Sequence, residues 1–471
     1  MTINPLFIQQ LGSLLPPDEC KALVDAITGS QPEVSVRVNA RRGAAVPGGA
    51  HRVPWCPEGF YVPGQRPQFT FDTDFQSGLY YVQDASSMFI AHALRSLAGH
   101  EPLRYLDLCA APGGKTTAAL GALPEGSLVV ANEIVPLRAR VLRDNVARWG
   151  SAHCMVGCNA PQAFAELTHF FDVVAADVPC SGEGMMRKDA TAAEQWTPQL
   201  VEQCAARQRT IIDDVWPSLR PGGLLIYSTC TYNRQENELM VDYIASRYGA
   251  ESVAVPTLPE WGVRQGIDTP HHCYRFMPHL TRGEGLFMCV LRKPDSEPLR
   301  QSLKPQKQRG SKQQPKAAAV PAEARQWLDA PADFAFAAAP DGTVVASPAS
   351  RQAELAALRQ HINLIHSGTA VGTVKGRKFT PSHELALSQH LASGAFPTVE
   401  VDYPTAIAYL RGESLGAIGG SRGYCLLTHR GQPLGFVNNL GTRANNLLPK
   451  TLRILSHTLP ATEPAVLHPA L

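Results

Sequence analysis

Charge is scarce in this chain and nearly balanced. Among 471 residues, Lys and Arg number 43 and Asp and Glu 41, for a formal net charge of +2. No global field announces a nucleic-acid partner, so any basic surface must be local. The 11 cysteines are scattered. They form no dense, regularly spaced framework, which excludes a disulfide-stapled scaffold and points to free thiols in a reducing, cytoplasmic setting. No run of about 18 apolar residues occurs, so neither a transmembrane helix nor a membrane partner is expected. Met1 to Leu15 has no charged side chain and no basic segment leading into an apolar one. A secretory signal is therefore not expected. There is no internal repeat.

Hydrophobic residues make up 44% and charged residues 18%, which suits a soluble globular protein with a sizeable core. The length allows about two or three domains. Residues 1–95 mix a helical pattern at Pro17–Thr28, a strand-like Val34–Asn39 and an aromatic, turn-rich stretch ending at Tyr80–Asp84. Residues 96–293 alternate short strands and helices. Strands are expected at Arg104–Leu108, Ser127–Asn132, Cys154–Cys158, Phe171–Asp177 and Leu224–Cys230. Helices are expected at Gly114–Leu123, Pro136–Trp149 and Asn233–Tyr248. Such alternation predicts an α/β fold with a parallel sheet covered on both faces. Ligands then bind beyond the carboxyl ends of the strands, where Asp107, Glu133, Asn159, Asp177 and Cys230 fall.

Residues 294–325 read as a basic linker; from Arg300 to Val320 its charged residues are Arg300, Lys304, Lys307, Arg309, Lys312 and Lys316, all cations. Residues 326–471 read as one or two small α/β units. Val371–Lys378 is strand-like with three cations, a helix starts near Pro381, and Gly431–Val437 reads as turn and strand.

The loop Asp107-Leu108-Cys109-Ala110-Ala111-Pro112-Gly113-Gly114-Lys115-Thr116-Thr117 follows a strand and opens a helix. Small residues let its backbone approach a ligand, and the helix start offers unpaired N–H groups. Gly114-Lys115-Thr116 matches the second half of a phosphate-binding loop, but Cys109 stands where its first glycine belongs. The G-x-G-x-x-G dinucleotide fingerprint is also missing. A nucleoside ligand without a phosphate cradle remains, such as S-adenosylmethionine. Glu133 ends the next strand, where a carboxylate can accept from both ribose hydroxyls. Its plainer use is to favour the start of the helix near Pro136.

Cys180, in Asp177-Val178-Pro179-Cys180-Ser181-Gly182, and Cys230, in Ser228-Thr229-Cys230-Thr231, each lie just past a strand end. A free cysteine is ordinarily a small buried hydrophobe. Two at the ligand edge of one sheet point to a shared pocket with a nucleophile in it. Beside a methyl donor, a thiolate adding to carbon 6 of a pyrimidine makes carbon 5 nucleophilic. The reaction also needs a group for the ring nitrogen and a base for the carbon 5 proton. Asp177 suits the ring nitrogen if its carboxyl is protonated or shares a proton. Cys230 is placed for attack and Cys180 for release, although spacing alone leaves their roles open. Cys109 offers backbone and small volume. Cys154 and Cys158, beside His153, lie within one strand, so no metal site is expected. Arg187 and Lys188 follow the Cys180 loop and can meet a substrate phosphate.

Asp107–Thr117, Asp177–Asp189 and Ser228–Glu238, with Arg37–Asn39 and Tyr81–Ser87, resemble the Nop/Sun family of RNA 5-methylcytosine methyltransferases. The bacterial RsmF group, which modifies 16S ribosomal RNA, is the branch they resemble. The resemblance implies a Rossmann-like S-adenosylmethionine-dependent methyltransferase sheet with an N-terminal α+β extension. It also implies a PUA-like RNA-binding region around Gly435-Phe436 and Asn445-Asn446. It assigns Cys230 as nucleophile and Cys180 as the thiol that assists release. It places Cys109, Ala110, Ala111, Pro112, Gly113, Gly114, Lys115, Glu133 and Asp177 at the cofactor. The family usually has Asp at the end of the third strand, near the adenine amino group. Asn159 stands there, and its amide oxygen can still accept. The expected partner is RNA, most directly 16S ribosomal RNA, with the chain as a monomer. Transfer RNA as substrate, a phosphate-loop ATPase and an inactive RNA-binding scaffold are the rival readings.

Overall fold

The computed structural model describes residues 3–29, 31–295, 319–456 and 458–467. The cations of the expected linker, Arg300 to Lys316, lie outside the described residues. Among the described residues no helix is long and apolar enough to cross a membrane.

The chain opens with helices α1 (Pro5–Leu14) and α2 (Pro17–Gly29). The Asn4 side chain accepts from the Leu6 N–H, and Pro5 sits at the first turn of α1. Strands β1 (Ser35–Val38), β2 (His51–Val53), β3 (Cys56–Tyr61) and β4 (Tyr80–Val82) form an antiparallel sheet in the order β2-β3-β1-β4. Helices α3 (Thr73–Gln76) and α4 (Phe89–Leu97) lead into the central sheet.

That sheet is built from β5 (Arg104–Asp107), β6 (Leu128–Asn132), β7 (Cys154–Gly157), β8 (Phe171–Asp177) and β9 (Leu219–Thr229). The helices between them are α5 (Gly114–Ala122), α6 (Pro136–Trp149), α7 (Ala190–Gln195) and α8 (Pro198–Val215), and α9 (Glu238–Tyr248) follows. The five strands are parallel in the order β7-β6-β5-β8-β9. Alternate residues pack on opposite faces. Tyr105, Val129 and Ile226 join the core under α5 and α6, while Leu106, Val130 and Leu225 join the core under α8 and α9. The chain order reverses between β5 and β8, which opens a crevice between the loops that follow them.

The sheet is mixed rather than wholly parallel. Strands β10 (Glu251–Ser252), β11 (Arg264–Gln265), β12 (Cys273–Phe276) and β13 (Leu286–Arg292) extend it antiparallel beyond β9. Strands β14 (Phe334–Ala338) and β15 (Thr343–Pro348) start a separate sheet, and β16 (Leu364–Ser367) crosses to pair antiparallel with β7. Thus the C-terminal half supplies one edge of the central sheet. Val371–Lys378, read as one strand, is a hairpin of β17 (Thr369–Lys375) and β18 (Lys378–Pro381). Gly376 has φ +60° at its turn, a conformation glycine adopts without strain. Ser382 caps the short helix His383–Ala386. The last sheet joins β19 (Thr398–Glu400), β20 (Gly423–His429), β21 (Gln432–Asn439) and β22 (Ala444–Asn446). The chain end returns to the first sheet. Val466 and Leu467 pack with Val36, Val38 and Phe60, and Val466 N–H donates to Asp72 at 3.0 Å.

Arg37 ties β1 to the start of α5. It is 2% exposed and donates to Gln83 Oε1 at 2.8 Å and Thr117 Oγ1 at 2.6 Å. Its guanidinium lies over the Trp149 ring at 4.6 Å, and burial pulls its pKa down to about 10. Arg37→Met is expected to lower the unfolding free energy by about 2–3 kcal/mol, because Gln83 and Thr117 lose a charged donor. Denaturant titration of wild type and variant checks this.

Candidate active site

Strands β8 and β9 are neighbours, with Asp177 opposite Ser228 in register. Their following loops therefore leave the same edge of the sheet. Cys180 Sγ and Cys230 Sγ are 3.3 Å apart and half-buried. The hydrogen bond to Cys230, and then burial, push the Cys180 thiol well above an ordinary cysteine, so Cys180 keeps its proton.

Two buried carboxylates hold these loops in place. Glu236 accepts from Ser181 N at 3.0 Å, Gln208 Nε2 at 2.8 Å and Asn233 Nδ2 at 2.8 Å. Glu183 accepts from the backbone of Tyr232 at 2.6 Å and Asn233 at 3.0 Å, and from Trp196 Nε1 at 3.0 Å. This network explains why the helix expected from Asn233 begins at Glu238. Asn233 and Asn237 spend their side chains on loop contacts before the helix starts.

Asp177 meets the thiol pair through a lysine. Lys115 Nζ lies 2.8 Å from Asp177 Oδ2, and Ser228 Oγ donates to Oδ1 at 2.8 Å. Burial pulls Lys115 down, but Asp177 and then Cys230 act against it, and the net pKa lies above an ordinary lysine. Asp177 thus accepts on both oxygens, and the proton beside it is carried by Lys115.

Past the ends of β5 and β6 is a cavity of about 420 Å³, within the range for a small ligand. Glu133 lines it, 3% exposed at the end of β6. Its Oε1 accepts from Val135 N–H at 3.0 Å at the start of α6, and Arg138 Nη1 lies 3.4 Å from Oε2. Glu133 therefore starts the helix and also faces the cavity. Within the loop after β5, Cys109 lines the cavity, while Ala110, Ala111, Pro112, Gly113 and Gly114 form the turn into α5. That turn is strapped from outside, where Arg138 donates to Ala111 O at 3.0 Å and Asn145 to Pro112 O at 2.8 Å. Gly113 has φ +115°, and a Cβ there would meet Leu142 at 3.2 Å. Burial first, then Asp177, raises the Cys109 thiol, as expected for a residue that offers volume rather than chemistry.

Asn159, just past β7, is bonded across to the segment before β16. Its Oδ1 accepts from Asn363 N–H at 2.7 Å, and its Nδ2 donates to Asn363 O at 3.1 Å and Asn132 Oδ1 at 3.2 Å. The amide is spent on clamping the segment before β16, and Asn159 is not among the residues lining the cavity. Arg187 and Lys188 are also spent within the protein. Arg187 donates to Gly283 O at 2.9 Å, and Lys188 pairs with Glu284. Among the described residues no group of three His, Cys, Asp or Glu could hold a metal ion.

Sequence reasoning missed one wall altogether. Arg207, Thr210, Ile211 and Asp214 of α8 line the cavity, spaced to share one helix face. That periodicity was the available signal. Glu183 and Glu236 were also missed, although each stands a few residues past one of the two cysteines.

A crevice at the strand-order reversal, a cavity of small-ligand size past the strand ends and two thiols on neighbouring loops at the same edge define a Rossmann-like methyltransferase. Residues 94–292 match the family described as 16S rRNA methyltransferase RsmB/F. Residues 3–85 match the N-terminal domain of 16S rRNA methyltransferase RsmF, and residues 396–454 match the methyltransferase RsmF PUA domain. A relative from Serratia proteamaculans, named ribosomal RNA small subunit methyltransferase F, is 32% identical over 418 residues, covering 85% of this chain and 84% of its own. The chain belongs to the RsmF family of RNA methyltransferases. Among solved structures, a methyltransferase homologue from Pyrococcus horikoshii is 24% identical with a TM-score of 0.52, covering 62% of this chain and 95% of its own. NSun6 from Pyrococcus horikoshii with SFG is 21% identical with a TM-score of 0.52, covering 61% and 97%. These two share the fold.

Asp107, 1% exposed, gives the site a pH signature. Burial pushes its carboxyl up to about 7, against which Thr116 Oγ1 donates at 2.7 Å. The unfolded value is about 3.9. Between these values the folded state holds the extra proton, so this group's contribution to stability falls as pH rises from about 4 to about 7. Asp107→Asn keeps an acceptor for Thr116 and removes the titration. Wild type is expected to lose stability relative to the variant over that range, as read from denaturant midpoints at several pH values.

Proposed function

We propose that this chain methylates carbon 5 of a cytosine in 16S ribosomal RNA, using S-adenosylmethionine and a covalent bond between Cys230 and carbon 6. The 3.3 Å contact between two strand-end thiols carries the reading. A single nucleophile would need one thiol; attack and release from one pocket need two. The substrate follows the name of the Serratia relative and the matched RsmF regions.

The residues present suit the cofactor. Glu133 offers carboxylate oxygens for ribose hydroxyls, the turn at Cys109–Gly114 brings backbone close, and the cavity beyond has largely apolar walls. When bound, S-adenosylmethionine supplies an electrophilic methyl group. Lys115 pairs with Asp177 at the end of β8, whose following loop carries Pro179 of the cavity wall and then Cys180.

Cys230 Sγ, as thiolate, adds to carbon 6 of the cytosine, forming an S–C bond and moving electron density toward carbon 5. The Lys115–Asp177 pair supplies the proton that the ring nitrogen needs as charge builds there. Cys180 holds its own proton chiefly because of Cys230. Once the Cys230 sulfur is bonded to carbon, that restraint is gone and Cys180 can lose its proton to solvent. After methylation the Cys180 thiolate takes the carbon 5 proton, the carbon 5–carbon 6 double bond re-forms, the S–C bond breaks with its electron pair returning to Cys230, and the ring-nitrogen proton returns to the Lys115–Asp177 pair.

RNA needs cations, and a local patch provides them. Lys375, Arg377 and Lys378 of the β17–β18 hairpin are exposed, as are Arg422 and Arg443. Lys378 lies 5.4 Å from the Tyr424 ring, and the Arg422 guanidinium lies beside Gly441, near Arg443. None of these five cations makes an ion pair among the described residues. Aromatic and unpaired cationic groups together suit a phosphate backbone.

Cys230→Ser is expected to abolish methyl transfer to 16S RNA, whereas Cys180→Ala is expected to accumulate an RNA–protein adduct seen as a retarded band on a denaturing gel. Replacing Lys375, Arg377 and Lys378 with Ala is expected to weaken RNA binding and flatten its dependence on salt by about three phosphate contacts. Filter binding across a salt series measures this.

A further inference from the structure

The register of the last sheet brings three polar side chains into one row. Tyr424 of β20 lies opposite Asn438 of β21, and Asn438 lies opposite Asn445 of β22. Directly opposed residues point to the same face of a sheet, so the three stand side by side, roughly 5 Å from strand to strand. The neighbouring asparagines point the other way and are already used. Asn439 donates to Gly419 O at 2.7 Å, and Asn446 donates to Tyr409 O at 2.8 Å. Asn438 is half-buried and Asn445 exposed, and among the described residues neither side-chain amide is hydrogen-bonded.

The surroundings of the row suit a nucleotide. Tyr424 Oη meets Thr380 Oγ1 at 3.0 Å, which seats the row where the β17–β18 hairpin abuts the last sheet. Lys378 stands at the Tyr424 end, 5.4 Å from the ring, and Arg443 closely precedes Asn445 at the other end. Phosphates on either side of one base thus have a cation each. Between the cations, the two amides face the base. An amide holds an acceptor beside its donors, which matches a base edge that shows an N–H next to a ring nitrogen. Adenine has that pattern on both its Watson–Crick and Hoogsteen edges, and its 6-amino group has one N–H for each. The Hoogsteen edge of guanine has acceptors alone, and a pyrimidine has no second edge of this kind. Unpaired bases in loops and bulges expose both edges.

We propose that Asn438 and Asn445 read an unpaired adenine of the substrate RNA, each amide taking one edge of the base, with Lys378 and Arg443 on the flanking phosphates. This rests on the reading of the basic hairpin as an RNA surface. The row gives that surface a base preference that its cations lack, because phosphate contacts position a nucleic acid without identifying its bases.

Fluorescence anisotropy with the full chain tests the assignment without turnover. The probes are labelled short oligouridylates whose central residue is uridine, guanosine, adenosine or 7-deazaadenosine, the last lacking the N7 acceptor. Wild type is expected to bind the adenosine probe about tenfold more tightly than the uridine or guanosine probe, within the worth of a bidentate amide–base pair. The 7-deazaadenosine probe is expected to fall between. Joint replacement Asn438→Ala and Asn445→Ala is expected to bring the adenosine probe down to the uridine one, leaving the uridine affinity and its salt dependence unchanged. Lys378→Ala is expected to weaken every probe alike and to flatten the salt dependence by about one phosphate contact. Binding without preference for adenosine, a preference that survives the joint replacement, or equal weakening of every probe by it would overturn the role of the two asparagines alone. Absence of binding to every probe at low salt would overturn the RNA reading of the hairpin as well.

Discussion

Two buried carboxylates, Glu183 and Glu236, are the constraint on which the site depends. Parallel strands β8 and β9 bring two loops to one edge, but adjacency does not set sulfur positions within a few tenths of an ångström. Glu236 binds the Ser181 backbone from one loop and Asn233 from the other. Glu183, from the first loop, binds the backbone of Tyr232 and Asn233 in the second. A buried carboxylate is tolerable only when its lone pairs are filled, and each acid finds donors on both loops or on the helices that flank them. The same acids that must be satisfied therefore fix the 3.3 Å separation of Cys180 and Cys230.

Around this hub the other segments act as braces. Arg37 joins the first sheet to the start of α5, close to the turn at Cys109–Gly114. Asn159 and Asn363 join the far edge of the catalytic sheet to the chain that continues into the last two sheets. The terminal Val466 returns to Asp72. Cofactor side, thiol side and basic hairpin thus belong to one continuous scaffold, in which the strand-order reversal sets where the crevice opens.

Much of this was legible in the sequence. Period-2 apolar runs, Pro136 at a helix start and small residues after Asp107 announced the parallel strands and the tight turn into α5, because burial and backbone sterics act locally there. Cys180, Cys230, Glu133 and Asp177 were legible as strand-end residues. What was not legible depends on distant partners. The antiparallel additions β13 and β16 pair with strands far away in the chain, and no local pattern announces a partner. Val371–Lys378 looked like one strand because a two-residue turn barely interrupts the apolar alternation. Asn159 was read from its strand position, yet Asn363, 204 residues later, decides what its amide binds. Arg207, Thr210, Ile211 and Asp214 are spaced to share one face of α8, but spacing does not say whether that face meets a cavity or the core.

The central claim is that Cys230, and not Cys180, forms the bond to the target base. RNA carrying 5-fluorocytidine blocks removal of the carbon 5 substituent and so halts the reaction at the covalent stage. Incubation of that RNA with the enzyme and S-adenosylmethionine, followed by proteolysis and mass spectrometry, locates the linkage. The account predicts a methylated nucleotide attached to the peptide containing Cys230. Attachment at Cys180, or a methylated product with no attachment, would contradict it.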